Sequence, residues 1–450
     1  IKREEYSVAK SFPEGFIWGA ATASYQIEGS PLADGAGPSI WHRFSHTPGN
    51  ILNGDTGDIA DDHYRRYRED VAIMKELGLK GYRFSMAWPR IFPYGKGKIN
   101  EKGVDFYSRL VDELLNAGIT PFVTLYHWDL PAALQDLGGW ANRDIACWYA
   151  DYADFMFQRL GDRVKNWITL NEPWVAAFVG YYEGRHAPGM RDLYAAFLAT
   201  HNQLRAHSKA VRAFREETRG GKIGITLSNS SHDPASSSKE DKEAAQFAHE
   251  WTNYPLFLHP IYKGDYPEKI REVAKEFLPP HYEKDMAEIK EPIDFVGINY
   301  YYGDLIQADP QSPLGGRAVE RGLPKTEMGW EIYPEGFYKI LKGVQDEYAP
   351  WEVFVTENGA AFEDKVEDGK VHDEKRISYL KEHFSQALRA IEDGVKLKGY
   401  FVWSLLDNFE WALGCSKRFG IVYVDYKTQK RIIKDSGYWY SKVIKNNSIE

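Results

Sequence analysis

The sequence predicts a single (β/α)8 barrel, also called a TIM barrel, with loop insertions at its C-terminal face. Three observations carry this prediction. Short runs of apolar, β-branched and aromatic residues recur eight times between residues 16 and 403. Amphipathic helix patterns lie between several of these runs, and strand and helix alternating eight times is typical of this fold. Nearly every run is followed by a polar or charged residue, and the C-terminal ends of barrel strands are where chemistry sits.

The elements are predicted from these runs in chain order. The eight strands are expected at residues 16–20, 81–85, 121–125, 167–170, 223–227, 295–298, 353–356 and 400–403. The clearest helices are expected at residues 61–77, 101–117, 145–160 and 375–392. Gly78 and Gly118 are expected to end two of them, since glycine tolerates the left-handed conformation found after a helix. Residues 230–242 and 308–325 are rich in Ser, Pro and Gly and are expected to be loops or insertions on the rim.

The composition bounds the class of protein. The 450 residues are 43% hydrophobic and 27% charged, as in ordinary globular proteins, and one domain over residues 1–450 is expected. The formal net charge of -9 argues against nucleic acid or an anionic membrane as partner. Cys147 and Cys415 have no metal-type spacing, so no disulfide framework, metal or cofactor is expected. The first residues lack an apolar leader and no apolar run reaches membrane-spanning length, so a cytoplasmic protein is expected.

Aromatic residues are abundant, at 15% of the chain with 14 Trp and 29 Tyr. Most of these rings are expected in the core or at its edge. Trp and Tyr beside Asn, Gln, His and Glu also form the walls of sugar sites, where rings stack on the C–H faces of pyranoses and polar groups bind the hydroxyls. The composition is therefore compatible with a small carbohydrate ligand.

Two carboxylates follow predicted strands at the same end of the barrel. Glu172 follows the fourth run and Glu357 the seventh, and each lies beside an Asn. A carboxylate at the end of a buried strand costs several kcal/mol to desolvate unless it is compensated. Either Glu alone has roughly even odds of being an ion-paired barrel residue. Together they favour cleavage of a glycosidic bond, which needs one protonated carboxyl to assist the leaving oxygen and one ionised carboxylate at the anomeric carbon.

Six motifs spread in order over nearly the whole chain resemble those of glycoside hydrolase family 1, the β-glucosidase/β-glycosidase family. They are FPEGFIWG at 12–19, YQIEG at 25–29, YHWDLP at 126–131, TLNEP at 169–173, VTENG at 355–359 and WSLLDNFEW at 403–411. The resemblance implies a retaining β-glycosidase that hydrolyses terminal β-D-glucosides, such as cellobiose and aryl or alkyl β-glucosides, with β-galactosyl and β-fucosyl side activity. It implies a role in cellulose degradation and requires no metal or other cofactor.

The resemblance also assigns roles to residues at the strand ends. Glu172 is expected to be the general acid/base with a raised pKa, and Glu357 the nucleophile, held ionised by Arg83 and Tyr301, with the two carboxyl groups about 5–5.5 Å apart. Substrate-binding residues are expected to be Gln26, His127, Asn171, Tyr301, Trp330, Trp403, Glu410 and Trp411. Supporting residues are expected to be Arg83, Asn229, Asn299, His186 and Phe419.

Alternative interpretations stay open at this point. His127 could be a satisfied core histidine, and Trp403 and Trp411 could simply pack the barrel top. Glu410 would repel a 6-phosphate, which disfavours a phospho-β-glycosidase, and Glu172 replaces the Gln typical of thioglucosidases. Net transglycosylation to a sugar or alcohol is a second enzymatic interpretation. A catalytically silent carbohydrate-binding barrel is a third, and it predicts binding without turnover. No oligomeric state follows from the sequence.

Overall fold

Eight parallel strands close into a barrel in the computed structural model, which describes residues 11–218, 220–280, 282–312 and 314–449. The described part of the chain has thirteen strands, of which eight form the barrel: β1 (Ile17–Ala21), β2 (Gly81–Ser85), β3 (Thr120–Tyr126), β4 (Asn166–Asn171), β5 (Lys222–Pro234), β6 (Phe295–Ala308), β7 (Gly316–Val319), β8 (Val353–Asn358), β9 (Val366–Glu367), β10 (Lys370–Val371), β11 (Leu397–Trp403), β12 (Val422–Val424) and β13 (Arg431–Ile433). Neighbours in the barrel run β5-β4-β3-β2-β1-β11-β8-β6, and β5 pairs with β6 to close the ring. The predicted (β/α)8 barrel is confirmed.

Helices surround the barrel and fill its rim. The α-helices are α1 (Ser24–Ile27), α2 (Ile40–Ser45), α3 (His63–Leu77), α4 (Trp88–Ile91), α5 (Glu101–Asn116), α6 (Ala132–Gln135), α7 (Ile145–Leu160), α8 (Leu193–Glu217), α9 (Lys239–Thr252), α10 (Pro255–Leu258), α11 (Glu268–Val273), α12 (Tyr282–Ile289), α13 (Pro334–Tyr348), α14 (Glu374–Glu392) and α15 (Asp435–Asn446). The four helices predicted from the sequence correspond to α3, α5, α7 and α14, with ends within two residues of those expected. Over the described ranges, none of the helices is both long and apolar enough to cross a membrane.

The helices form where apolar residues recur every three or four positions. On α5, Val104, Tyr107, Leu110, Val111 and Leu114 are all buried against the barrel, as this spacing requires. Two of the predicted helix ends are confirmed, since the glycines after α3 and α5 have φ of +76° and +73°.

Aromatic rings fill the bottom of the barrel. The ring of Phe122 lies 5.3 Å from that of Phe354 and 4.7 Å from that of Phe401. Room for these rings depends on Gly19 in β1, where an added Cβ would lie 2.5 Å from Cδ1 of Phe401. The interior of the barrel is therefore a packed core, and a ligand site of this fold is expected above it, at the C-terminal ends of the strands.

The two segments predicted as rim loops are partly regular, so that prediction was wrong in detail. Residues 230–234 continue β5, and α9 begins at Lys239. Residues 316–319 form β7, which pairs antiparallel with the end of β6. The barrel strands β5 and β6 run on together beyond the barrel, with His232 paired to Asp304 and Pro234 to Ile306. The extended end of β6 supplies the strand with which β7 pairs. A Ser- and Gly-rich composition does not predict this long-range pairing.

Candidate active site

A cavity of about 730 Å³ opens at the C-terminal ends of the barrel strands. The sequence-predicted residues that line it are His127, Glu172, His186, Asn229, Tyr301, Trp330, Glu357, Trp403, Glu410, Trp411 and Phe419. The other four predicted residues, Gln26, Arg83, Asn171 and Asn299, are buried and contact this lining. The barrel therefore brings all the predicted site residues to one place, and the two candidate catalytic carboxylates share one cavity.

Glu357 is the penultimate residue of β8 and accepts hydrogen bonds from side chains of two other strands. Arg83 of β2 donates from Nη1 to Oε1 of Glu357 at 2.7 Å, and the hydroxyl of Tyr301 donates to Oε2 at 2.6 Å. Both contacts were predicted from the sequence and are confirmed. Arg83 also donates from Nη2 to Oδ1 of Asn171 at 2.7 Å, so one buried guanidinium links the ends of β4 and β8, which are not adjacent in the barrel.

Glu172 follows β4 and has a less compensated environment. Its Oε1 accepts a hydrogen bond of 2.9 Å from Nδ2 of Asn299. Burial and, after it, the negative charge of Glu357 raise the pKa of Glu172 to about 8, although the Asn299 bond and the charge of Arg83 oppose the rise. The predicted rise is confirmed, and it keeps a proton on Glu172 at neutral pH.

The pKa of Glu357 is also raised, because the carboxylate is fully buried, but its partners oppose this effect. The Arg83 charge is the largest opposing influence, followed by the hydrogen bond from Tyr301. Since Glu172 lacks an ion-pair partner and Glu357 has one, Glu357 is the stronger acid of the pair. The two carboxyls are therefore supported unequally, and the charged form of Glu357 is the better stabilised of the two.

The hydrogen bonds around Asn171 fix the tautomer of His127. Oδ1 of Asn171 accepts from Arg83 and from Asn299, so its Nδ2 must be the donor to Nε2 of His127 at 3.0 Å. Burial and the Arg83 charge hold the pKa of His127 well below its usual range, so the ring is neutral. Its proton therefore resides on Nδ1, a buried atom with no partner among the described residues. An unpaired donor at a cavity suits a sugar hydroxyl.

Gln26 and Glu410 present two more buried oxygens without partners. The amide nitrogen of Gln26 donates to Asn408 Oδ1 at 3.0 Å and to the carbonyl of Phe409 at 2.9 Å, which leaves its Oε1 unpaired within the described part of the chain. Oε2 of Glu410 is likewise buried and unpaired there. Burial and the charge of Glu357 raise the pKa of Glu410 to about 8. Orphaned polar atoms of this kind are costly unless a ligand satisfies them.

Aromatic rings wall the cavity. The rings of Trp403 and Trp411 each lie 5.9 Å from that of His127 and nearly parallel to it, at 27° and 24°. Trp330 stacks on Tyr302 at 5.1 Å on the outer side. Flat apolar faces beside unpaired polar atoms suit a pyranose, which has both C–H faces and hydroxyl edges.

Three non-glycine residues of the lining have left-handed backbone. They are Trp128, Glu172 and Trp411, with φ of +79°, +47° and +49°. Such conformations cost of order 1–3 kcal/mol each and persist where the surroundings enforce them. Their clustering at one cavity indicates that side-chain placement there outweighs local backbone preference.

Several lining residues escaped the sequence analysis. Trp174 directly follows the TLNEP motif at 169–173 and Tyr302 directly follows the predicted site residue Tyr301, so a longer window would have found both. Phe44 and Asn50 come from the long connection between β1 and α3, and Arg185 comes from the segment after β4. These three lie on connections whose path over the rim depends on tertiary packing, and no local signal marks them.

Comparison with known proteins gives one consistent result. The family model described as glycosyl hydrolase family 1 matches residues 8–449. The chain is 66% identical over 442 residues to β-glucosidase A of Thermotoga maritima, covering 98% of this chain and 99% of that protein. It is 66% identical over 441 residues to a 1,4-β-D-glucan glucohydrolase of Thermotoga neapolitana, covering 98% and 99%.

The structural comparison agrees. A solved structure of a Thermotoga maritima family 1 glycoside hydrolase, complexed with a cyclophellitol analogue that mimics the transition state, has a TM-score of 0.98. It is 66% identical in sequence and covers 98% of this chain and 100% of its own.

Proposed function

The chain belongs to glycosyl hydrolase family 1 and is a retaining β-glucosidase, and we propose that Glu172 and Glu357 carry its reaction. In the first step an oxygen of Glu357 attacks the anomeric carbon while Glu172 gives its proton to the departing oxygen. The carbon–oxygen bond to the aglycone breaks and a covalent glycosyl-enzyme forms. In the second step Glu172 takes a proton from water, the water oxygen bonds to the anomeric carbon, and the ester to Glu357 breaks.

The single observation that carries this proposal is the unequal support of the two carboxyls. Glu357 accepts hydrogen bonds from Arg83 and Tyr301. Glu172 is buried, accepts one hydrogen bond from an amide, and has a pKa raised to about 8. The charge of Glu357 is the second-largest cause of the raised pKa of Glu172, after burial. Formation of the glycosyl ester would remove that charge. The pKa of Glu172 would then fall, as its second role as a base requires. A separation of about 5–5.5 Å between the carboxyl groups remains a prediction of this mechanism.

We assign the non-reducing sugar to the unpaired polar atoms and flat rings on the inner side of the cavity. Gln26 Oε1, His127 Nδ1 and Glu410 Oε2 would bind its hydroxyls. Asn171 would face the 2-hydroxyl with the remaining N–H of its amide, and Trp403 and Trp411 would cover the ring faces. The 2-hydroxyl contact strengthens in the oxocarbenium-like transition state, so Asn171 contributes to rate as well as to affinity.

On the outer side, Trp330, His186, Asn229 and Phe419 would contact the aglycone. We propose terminal β-D-glucosides, including cellobiose and short β-glucans, as substrates, with β-galactosides and β-fucosides as slower ones. Release of glucose from such glucans would place the enzyme in cellulose degradation. Both cysteines are free thiols and Cys147 is exposed, which suits a reducing compartment such as the cytoplasm. We also propose that the whole chain forms one domain.

The test is Glu357→Ala assayed on an activated aryl β-glucoside with and without azide. Hydrolysis is expected to fall by at least about a thousandfold because the covalent step is lost. Azide fits the space left by the carboxylate and attacks from the same face, so the rescued product is an α-glycosyl azide. The matched variant Glu172→Ala leaves Glu357 intact, and its azide product has the β configuration. Exchange of the two products would reverse the assigned roles, and a wild-type chain that binds glucosides without turnover would indicate a silent binding barrel.

A further inference from the structure

A cluster of metal-binding side chains lies outside the cavity. His42 on α2 and His46, which directly follows this helix, are four residues apart and present their rings to one side, with ring centroids 4.3 Å apart. Asp58 returns to the same side from the next connection. Nδ1 of His42 lies 3.6 Å from Oδ1 of Asp58, and Nε2 of His46 lies 3.0 Å from Oδ2.

The His46 ring is oriented as metal-bound histidines are. Its Nδ1 lies 2.7 Å from the carbonyl oxygen of His42, so in the neutral ring Nδ1 carries the hydrogen and donates it. The lone pair is therefore on Nε2, which points at Asp58. Histidine ligands almost always donate their other N–H to a carbonyl or carboxylate in this way, because the contact fixes both tautomer and ring orientation.

The second imidazole is also available. Nδ1 of His42 is buried and has no hydrogen-bond partner among the described residues, although it faces Asp58. The nearby cation, Arg43, turns away and pairs with Asp136 at 2.5 and 2.9 Å. The backbone carbonyl of Asp58 accepts from the amide of Ser30 at 2.7 Å, which anchors this residue. Among the described residues no Arg or Lys pairs with Asp58, so a metal ion would have to displace only the proton of the contact between His46 and Asp58.

The ligand atoms have the spacing that a small cation needs. All three lie within 4.8 Å of one another. A tetrahedral ion with bonds of about 2.0–2.1 Å separates its ligand atoms by about 3.3 Å. Small rotations of the three side chains would therefore bring their ligand atoms to this spacing. His46 and Asp58 expose 40% and 45% of their side chains, which leaves water access to the remaining coordination positions.

We propose that His42, His46 and Asp58 form a binding site for a divalent transition-metal ion, of which Zn²⁺ is the representative case. Two imidazoles and one carboxylate suit Zn²⁺, Ni²⁺ or Cu²⁺ and do not suit Mg²⁺, which prefers oxygen ligands. The role is structural, because the site lies apart from the two catalytic carboxylates. The sequence analysis missed it because the His42–His46 spacing lies on a short helix and Asp58 is brought in by the fold.

A bound ion would brace part of the cavity wall. Phe44 on α2 and Gly49 and Asn50 in the following connection all line the active-site cavity. Trp41 on the same helix packs against Trp411 with ring centroids 4.5 Å apart. Since the ion would link α2 to Asp58, it would restrain the segment between them and raise the thermal stability of the protein by binding only its folded form.

A second group of potential ligands serves as the matched control. His372, Glu374 and Asp435 also lie close together. This second cluster has one imidazole where the proposed site has two, and Nδ1 of its His372 contacts Asp435 at 2.6 Å. Removing this histidine takes one surface imidazole from the chain without touching the proposed site.

The experiment titrates the chelator-treated full-length protein with ZnCl2 by calorimetry and follows thermal unfolding with and without Zn²⁺. We expect saturable binding of one ion to the proposed site and a higher Tm with Zn²⁺. His46→Gln and Asp58→Asn should each weaken binding by more than about tenfold and abolish the Tm increase, since even outer-shell partners of metal sites are worth 10–100-fold. His372→Gln should change neither, and Mg²⁺ in excess should not compete.

The proposal is overturned if the wild-type chain shows no saturable Zn²⁺ binding, or if both His46→Gln and Asp58→Asn bind as the wild type does. Loss of binding in His372→Gln alone would locate the ion at the other cluster and would equally overturn it. Glucosidase activity of each variant is measured alongside, and activity near the wild-type value shows that any loss of binding does not come from misfolding.

Discussion

Arg83 has more influence on the pKa of Glu357 than any other side chain. It is fully buried, donates to Glu357 and to Asn171, and its charge is the largest influence opposing the rise in the pKa of Glu357. Without that charge the ionised form of Glu357 is less stable, so its pKa moves up. We therefore expect Arg83→Met to shift the acidic limb of the pH profile of kcat/KM to higher pH and to lower the maximum.

The companion variant for this prediction is Tyr301→Phe, which removes one hydrogen bond of 2.6 Å and leaves the charge in place. Its acidic limb should move in the same direction by a smaller amount, because the hydrogen bond is the smaller of the two influences. The profile of kcat/KM reports the free enzyme, where these groups titrate. A larger shift in Tyr301→Phe than in Arg83→Met would contradict the assignment.

In this mechanism the basic limb of the pH profile of kcat/KM reports the ionisation of Glu172, but ionisation of a second carboxyl, that of Glu410, would give a limb at a similar pH. The pKa values of Glu172 and Glu410 are both raised to about 8. We expect kcat/KM to fall as the pH rises through about 8, because Glu172 then loses the proton it must donate. In Glu410→Gln the limb should persist and move to lower pH, since a neighbouring negative charge that raises the pKa of Glu172 is gone.

The measurement is the pH profile of both proteins on one aryl β-glucoside, with the maximal rate of the variant reduced by the lost sugar contact. Disappearance of the basic limb in Glu410→Gln would mean that Glu410, not Glu172, controls it. A limb that moves to higher pH would contradict the sign of the interaction between the two carboxylates.

At the scale of residues, the sequence predicted which side chains form the candidate active site better than it predicted the hydrogen bonds between them. Arg83 and Tyr301 could be paired with Glu357 because Arg83 lies within the second predicted strand, Tyr301 follows the sixth, and the family resemblance requires donors to the nucleophile. The bond from Asn299 to Glu172 could not be predicted. It depends on an irregularity in the pairing of β6 with β8, between Ile298 and Asn299, which shifts one strand against the other.

At the scale of elements, one carboxylate anchors the rim segment that carries Trp330. Asp233 at the end of β5 accepts from Arg321 and Tyr333, each at 2.8 Å, and from Lys339 at 2.8 Å. Arg321 and Tyr333 flank the segment, so the position of the Trp330 ring depends on this carboxylate. We expect Asp233→Ala to raise KM for substrates with a bulky aglycone by roughly threefold to tenfold, a loss of about 1 kcal/mol of binding.

The comparison that isolates the aglycone is β-glucosyl fluoride, whose leaving group is too small to contact Trp330. Its KM should be unchanged in Asp233→Ala. Asp309→Ala provides the matched control, because the Asp309 side chain lies in the same rim extension but makes a local hydrogen bond with the Gln311 amide at 3.0 Å and a long contact of 3.9 Å with Arg317. Equal changes in KM for both substrates, or an effect of the control variant as large as that of Asp233→Ala, would contradict this role for Asp233.

The barrel elements were predictable because period and burial agree within each run. Strand β8 is buried throughout, and the apolar residues of α5 repeat on one face. The ribbon formed by the ends of β5 and β6 was not predictable, because its strands are polar and each is stabilised by the other. Local composition there indicates a loop, and only the long-range pairing of Asp233 with Leu305 and of Pro234 with Ile306 makes it a sheet.

At the scale of the whole molecule, a buried network of charges joins the last quarter of the chain beneath the active-site loops. Lys434 is fully buried and its ammonium group contacts Asp364 and, at 2.7 Å, Asp407. Arg376 also binds Asp364 at 2.9 Å, and Arg418 binds Asp407 at 2.6 Å. These partners are distant in sequence, so no local pattern predicts the network, although Asp407 lies within the WSLLDNFEW motif at 403–411.

Removing the central cation of this network is expected to weaken the whole fold. In Lys434→Met two buried carboxylates lose a shared partner, and breaking a buried pair on one side costs about 3–5 kcal/mol of the free energy of unfolding. Arg159→Ala breaks a solvent-exposed pair with Glu101, whose side chains are 42% and 62% exposed, and should cost less than about 1 kcal/mol. Chemical denaturation of both variants measures the difference.

The same variant is also expected to affect activity, because Asp407 precedes Asn408 and Glu410. Lys434→Met should lower kcat/KM even at denaturant concentrations below its midpoint of unfolding, whereas Arg159→Ala should not. A Lys434→Met protein as stable as the wild type would show that the two arginines alone compensate both carboxylates, and that the lysine is not needed to hold the end of the chain against the barrel.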